Sequence, residues 1–115
     1  MPFVELTDVR CYYELRGKGD PLLLIPGLGN TCRIWDPIAA DLAEHFCLIG
    51  VDIRGVGQSV AKRQPNTLRD YTADLVELLD HLQVVRTHVM GLSLGGMIAQ
   101  RFAIDHPDRV SRLVL

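Results

Sequence analysis

Ser93 stands in the pentapeptide Gly91-Leu92-Ser93-Leu94-Gly95, and its surroundings suit a nucleophile. Upstream, Thr87-His88-Val89-Met90 reads as a strand; downstream, Met97-Ile98-Ala99-Gln100 continues a helix entered without intervening loop residues. A serine on so sharp a strand-to-helix turn is held in a strained backbone with its hydroxyl clear of the sheet. Side chains two residues to either side would collide in such a turn, and Gly91 and Gly95 remove them. The competing reading makes Ser93 a serine near a helix N-cap between packing glycines.

The helix that begins after Ser93 also points its N-terminal N–H groups and positive dipole end at the same place. Negative charge developing on a carbonyl oxygen would be stabilised there. The Leu94 amide is one expected donor, and a second is expected at Leu28, in the loop after the third strand. Loss of one such donor typically removes about 3–4 kcal/mol of transition-state stabilisation. Asp52 and the Arg54-Gly55-Val56-Gly57-Gln58-Ser59 run after it read as a structural turn rather than a catalytic one.

A serine so placed needs a sheet beneath it, and the chain alternates strand and helix signals. Val4 to Arg10 and Cys11 to Leu15 read as two short strands. Leu22-Leu23-Leu24-Ile25, bounded by turn residues, is the continuous apolar run of a strand covered on both faces. The loop Pro26 to Thr31 follows it. Trp35, Ile38, Ala39, Leu42, Ala43 and Phe46 recur at helical spacing, with Asp36-Pro37 at the start. Phe46 to Ile53 is a further buried strand. Leu68, Tyr71, Leu75, Leu78, Leu79 and Leu82 mark a second helix. Thr87 to Leu92 is a strand, Leu94 to His106 a third helix closed by Pro107, and Val110 to Leu115 one more strand. This order predicts an α/β fold whose mostly parallel sheet carries helices on both faces.

Composition bounds the partners. The 115 residues suit one domain, and an apolar share of 48% is enough for a packed core. A net charge of −2 with scattered arginines leaves no footprint for nucleic acid or an anionic membrane. Three cysteines, Cys11, Cys32 and Cys47, form no C-x-x-C pair, which argues against a disulfide framework and a cysteine-based zinc site. Free thiols suit a reducing compartment, so a cytoplasmic location is expected. Met1-Pro2-Phe3-Val4-Glu5 has no signal-peptide pattern, and no apolar run is long enough to span a bilayer. No cofactor or metal is expected. Glycine loops after strands raise the alternative of nucleotide binding. However, Gly27-Leu28-Gly29-Asn30-Thr31-Cys32 and Gly55-Val56-Gly57-Gln58-Ser59-Val60 both lack the last glycine of G-x-G-x-x-G, and no Walker lysine pattern exists.

The segments LLLIPGLGN (Leu22 to Asn30), DIRGVGQS (Asp52 to Ser59), GLSLGG (Gly91 to Gly96) and HPDRVSRLVL (His106 to Leu115) together resemble the N-terminal half of the α/β-hydrolase superfamily. The likeness runs along essentially the whole chain. Trp35-Asp36, the helix from Asp74 to Leu82 and GLSLGG look most like the 3-oxoadipate enol-lactonase and small-esterase branch. The resemblance implies that Ser93 is the nucleophile, with the amides of Leu94 and Leu28 forming the oxyanion hole. It implies a small-molecule ester or lactone as substrate. Many members have His-Gly where this chain has Pro26-Gly27, a departure that touches loop geometry and not the backbone donor. Serine in the elbow argues against the dehalogenase branch, which uses aspartate there.

By the family's chain order of Ser, then Asp or Glu, then His, both partners of Ser93 are expected beyond Leu115. Residues 1–115 are then the N-terminal portion of a single domain, lacking the later strands, helices and cap. His45, His81, His88 and His106 read as surface or packing residues. A serine without its base is a weak nucleophile, and loss of a triad can lower kcat about a millionfold. The alternative to a hydrolase portion is therefore a catalytically inactive fragment or half of an assembly. The apolar strand at the chain terminus gives the appearance of a cut chain. Its exposed sheet edge predicts self-association.

Overall fold

The computed structural model describes residues 2–63 and 67–115; Met1, part of the N-terminal stretch considered above, lies outside them. Among the described residues, the strands are β1 (Phe3–Glu5), β2 (Val9–Arg16), β3 (Asp20–Ile25), β4 (Phe46–Val51), β5 (Val60–Ala61), β6 (Thr87–Gly91) and β7 (Val110–Val114). The helices are α1 (Asp36–Ala43), α2 (Leu68–His81) and α3 (Leu94–Asp105), with short 3₁₀ turns at Cys32–Trp35 and Pro107–Arg109.

One sheet joins the strands in the order β1-β2-β4-β3-β6-β7, and β5 pairs with β2. The pairs β4–β3, β3–β6 and β6–β7 are parallel, while β1 and β5 pair with β2, and β2 with β4, in antiparallel fashion. Strand periodicity divides the apolar run of β3 between the two faces of the sheet. Leu22 and Leu24 join Leu48, Trp35 and Ala39 under α1. Leu23 and Ile25 join Ile49, Val51 and Val89 under Leu75, Leu78 and Leu79 of α2 and Ile98, Ala99 and Phe102 of α3. A central strand buried on both faces explains why the run reads as unbroken leucine and isoleucine.

Several boundaries differ from the sequence reading. The first two strands divide at Leu6–Asp8, not between Arg10 and Cys11. Leu6 N–H donates to Val9 O at 2.9 Å, and Glu77 accepts from both the backbone N–H and the hydroxyl of Thr7 at 2.9 Å. That turn leaves Val9–Arg16 as one strand, pairing Val4 with Cys11. Trp35 closes the 3₁₀ turn before α1, and Phe46 opens β4, so the helical spacing ran past the helix at both ends. Strand β4 stops at Val51 because Asp52 starts a hydrogen-bonded turn. Strand β5, only two residues long, has no periodic signal.

Strand β7 is paired on one side only, and residues 111–115 are exposed. Beside it, Leu22, Leu42, Phe46, His88, Met90, Arg112 and Val114 line an apolar groove on the α1 face of the sheet. No helix among the described residues is long and apolar enough to cross a membrane.

Candidate active site

The parallel strands β4, β3 and β6 all end on one side of the sheet, and their exits carry Asp52, Leu28 and Ser93 in that spatial order. Ser93 is exposed and takes φ 56°, ψ −117°, a left-handed backbone that non-glycine residues rarely adopt. An N-cap serine normally has an extended backbone and accepts a helix N–H. Ser93 has neither, because its side chain makes no capping hydrogen bond. Ser93 thus holds the N-cap position between two packing glycines, as the competing reading has it, but its positive φ and missing cap bond are left unexplained by capping alone.

The turn is closed by backbone bonds. Leu92 N–H donates to Ile25 O at 3.2 Å, Gly95 N–H to Leu92 O at 2.9 Å, and Gly96 N–H to Ser93 O at 2.9 Å. A Cβ on Gly91 would strike the backbone of Gly95 and Gly96, and one on Gly95 would strike the carbonyl oxygens of Ile25 and Pro26. The first collision lies within the turn, as the motif implies. The second lies between the turn and β3, so Gly95 also sets how closely α3 approaches the sheet.

The loop after β3 reaches the same place. Asn30 N–H donates to Gly27 O at 3.1 Å, and Gly29 has φ 77°, the pattern of a type II turn with Leu28 and Gly29 at its centre. Gly27 is packed so tightly that an added Cβ would lie 3.3 Å from the Cβ of Ser93 and 3.2 Å from Leu92 O. Leu28 is 75% exposed, and Leu94 is half-buried at the head of α3. Among the described residues, neither the Leu28 N–H nor the Leu94 N–H has a hydrogen-bond partner. The structure thus brings the Leu28 loop, Ser93 and the head of α3 together. A hydroxyl beside two unengaged amide donors can attack a carbonyl group and hold its oxygen.

The histidines lie elsewhere. His45 immediately precedes β4, and His88 is the second residue of β6. His81 ends α2, and His106 follows α3. In a parallel α/β arrangement these positions all fall at the end of the sheet opposite Ser93. The helix between Ser93 and His106 alone spans about 18 Å at 1.5 Å per residue. His106 packs tilted against Phe102 with centroids 5.5 Å apart, and His88 sits edge-on to Phe46 at 5.7 Å. Among the described residues no group of three His, Cys, Asp or Glu is placed to hold a metal ion.

Two features lie behind the site. Arg54, with a fully buried side chain, sets its guanidinium fork against the Asp74 carboxylate; Nε donates at 2.6 Å and Nη2 makes the second bond. Asp74 holds the Arg54 guanidinium above its ordinary pKa. Burial pushes the Asp74 carboxyl up, and the Arg54 hydrogen bonds work against that rise. The 20-residue separation of the partners gives no local signal. The second feature is Asp52, 2% exposed, whose carboxylate accepts Cys32 N–H at 2.7 Å and Gln58 N–H at 2.9 Å. It is a turn residue, as its sequence context suggested, but one that also reaches across to the β3 loop.

Residues 20–115 match the family described as alpha/beta hydrolase fold. The crystal structure of a hydrolase from Pseudomonas aeruginosa PA01 superposes with a TM-score of 0.94 at 39% identity, covering 98% of this chain and 44% of that one. The enol-lactonase from Burkholderia xenovorans LB400 superposes with a TM-score of 0.93 at 31% identity, covering 97% and 45%. A protein of Azorhizobium caulinodans provisionally named carbamate hydrolase RutD is 33% identical over 115 residues, spanning 100% of this chain and 43% of that protein. The chain therefore spans less than half the length of each of these relatives.

Proposed function

We propose that this chain, which belongs to the alpha/beta hydrolase fold family, is the N-terminal portion of a single-domain serine hydrolase acting on a carboxylic ester or lactone. The observation that carries the reading is Ser93 itself: exposed, held at φ 56°, and making no cap bond at the head of α3. In the reaction the Ser93 Oγ attacks the substrate carbonyl while a base takes its proton. The amides of Leu28 and Leu94 hold the oxyanion. Collapse of the tetrahedral adduct breaks the ester bond, and the base returns the proton to the departing alkoxide. Water then attacks the acyl-enzyme, releasing the acid and restoring Ser93. The base and its acidic partner lie outside these 115 residues, in keeping with the family's order of Ser, then acid, then His.

The enol-lactonase likeness supports a lactone or small ester over a large substrate. A net charge of −2 supports no nucleic-acid partner. Three unpaired thiols support a cytoplasmic location. The test is intact-mass analysis of the full-length protein before and after treatment with a fluorophosphonate. One adduct mapping to Ser93, absent in Ser93→Ala, is the expected result; no adduct, or one on another residue, rejects the proposal.

A second reading is favoured by β7. With residues 111–115 exposed and an apolar groove beside the strand, the 115-residue chain alone is a catalytically inactive piece that associates through this edge. Sedimentation of the isolated chain distinguishes the two: a monomer at all concentrations counts against association, and a Ser93 adduct counts against inactivity.

A further inference from the structure

We infer that Asp52 is a positioning residue for the reaction at Ser93, acting by fixing the loop that presents the Leu28 amide. The inference rests on the serine-hydrolase reading above.

The loop from Pro26 to Thr31 has to keep one backbone N–H at a set distance from Ser93, yet it contains two glycines and bends through a type II turn. Its entry is secured by β3 and by the close fit of Gly27 against Ser93 and Leu92. Its exit is secured by one side chain from the neighbouring strand. Asp52 Oδ1 accepts the N–H of Cys32, the first residue after the loop, at 2.7 Å. The N–H of Cys32 opens a 3₁₀ turn, where it has no partner within the turn itself.

Asp52 is in turn held from three directions. Its Oδ2 accepts Gln58 N–H at 2.9 Å, its carbonyl accepts the Ser59 hydroxyl at 2.6 Å, and its own N–H donates to Tyr12 O at 3.1 Å. The Ser59 hydroxyl also accepts Tyr12 N–H at 2.9 Å. Gly57, at φ 57°, is pressed against both the Asp52 carboxylate and the Thr31 methyl, with no room for a side chain at either. The turn after β4 thus exists in this shape to clamp a carboxylate, and that carboxylate clamps the β3 loop. A chain of contacts runs from Gly57 through Asp52 and Cys32 to the loop that carries Leu28. Asp52 itself is buried behind the loop, 2% exposed.

The geometry makes the inference testable from both ends of one hydrogen bond. Asp52→Ala removes the acceptor, and Asp52→Asn keeps one acceptor oxygen but turns an NH₂ toward the second N–H. Cys32→Pro removes the donor at a backbone position that tolerates proline, since Thr31 before it is extended (φ −94°, ψ 176°). For each variant of the full-length protein, we would measure the rate constant for fluorophosphonate labelling of Ser93 per folded molecule, the final extent of labelling, and amide exchange across residues 26–33. A misplaced oxyanion donor predicts labelling slowed about 10- to 100-fold in Asp52→Ala and Cys32→Pro, and less in Asp52→Asn. It also predicts full labelling at completion and faster exchange confined to residues 26–33. A rate per folded molecule within about twofold of wild type would overturn the inference. So would a loss explained wholly by a smaller labelled fraction, which marks a merely structural residue. Should Asp52→Ala fail to fold, Asp52→Asn and Cys32→Pro decide on the same criteria. A wild-type protein that takes no adduct sinks the serine-hydrolase reading and with it the link to Ser93. The exchange measurement then still decides whether Asp52 holds the loop.

Discussion

Gly95, in the first turn of α3, lies so close to the carbonyl oxygen of Ile25 at the end of β3 that no side chain fits between them. The obstructing Ile25 and Pro26 carbonyl oxygens are both backbone, so neither can rotate away. Gly95→Ala is expected to destabilise the fold by about 3 kcal/mol, the upper range for overpacking a tight interior. Chemical denaturation of the variant measures this. An effect below about 0.5 kcal/mol, the usual size of a surface substitution, would contradict the packing described.

Ser93 should be more stable as glycine than as alanine. A non-glycine residue held at an unfavourable positive φ stores about 1–3 kcal/mol, and glycine relieves this while losing about 1 kcal/mol through unfolded-chain entropy. Ser93→Gly is thus expected to unfold at a higher temperature than Ser93→Ala, with neither taking a fluorophosphonate adduct. Equal or reversed melting temperatures would mean that the strain at φ 56° is no more than about 1 kcal/mol, the entropy cost of the glycine.

The Arg54–Asp74 pair predicts strong non-additivity. Removing Arg54 leaves the Asp74 carboxylate buried without its partner, and removing Asp74 leaves the buried Arg54 with only the longer Asp8 contact at 3.6 Å, each at a penalty of up to about 3–5 kcal/mol. Arg54→Met and Asp74→Leu should each be severely destabilising, while the double variant should be milder than either single one. A double-mutant cycle reads this coupling directly, and simple additivity would show that the two side chains do not depend on each other.

Alkaline pH should weaken the fold through its thiols. Burial pushes Cys11 and Cys32 up to about 12, with Asp52 adding to the rise at Cys32. Their ordinary value is 9.0, so between pH 9.0 and about 12 the unfolded chain loses thiol protons that the folded chain keeps. Their contribution is fully present below pH 9.0 and is lost as pH rises toward 12. Melting temperature should fall through that window, and Cys11→Val should flatten the slope. At neutral pH iodoacetamide should modify the half-buried Cys47 ahead of the buried Cys11 and Cys32.

The parts of this protein that could be read from sequence are those whose physics is local. Leu22 to Ile25 announces a doubly covered strand by the absence of any polar residue. Gly91 to Gly95 announces an elbow because the spacing of its glycines is a steric requirement of the turn. The Leu6–Asp8 turn was harder to place, since its shape depends on Glu77, some seventy residues away, accepting from Thr7. The same applies to Asp74, which looks like any polar residue on an amphipathic helix until the fold brings Arg54 against it. Asp52 is intermediate: its turn is visible in the glycines that follow, but its bond to Cys32 requires β4 to lie beside β3.

That adjacency has a wider consequence. From β3 the chain moves through α1, on one face of the sheet, to β4 on one flank; β6 lies on the other flank and hands over to α3 on the opposite face. The connections leaving β3 and β6 thus cover opposite faces of the sheet, the arrangement of a topological switch point, and Gly27 meets the Leu92–Ser93 turn where they part. That meeting point is fixed by the winding of the backbone before any side chain is chosen. The Leu28 and Leu92 side chains stand exposed beside it and add nothing to the sheet core, so they can be exchanged while the scaffold stays the same.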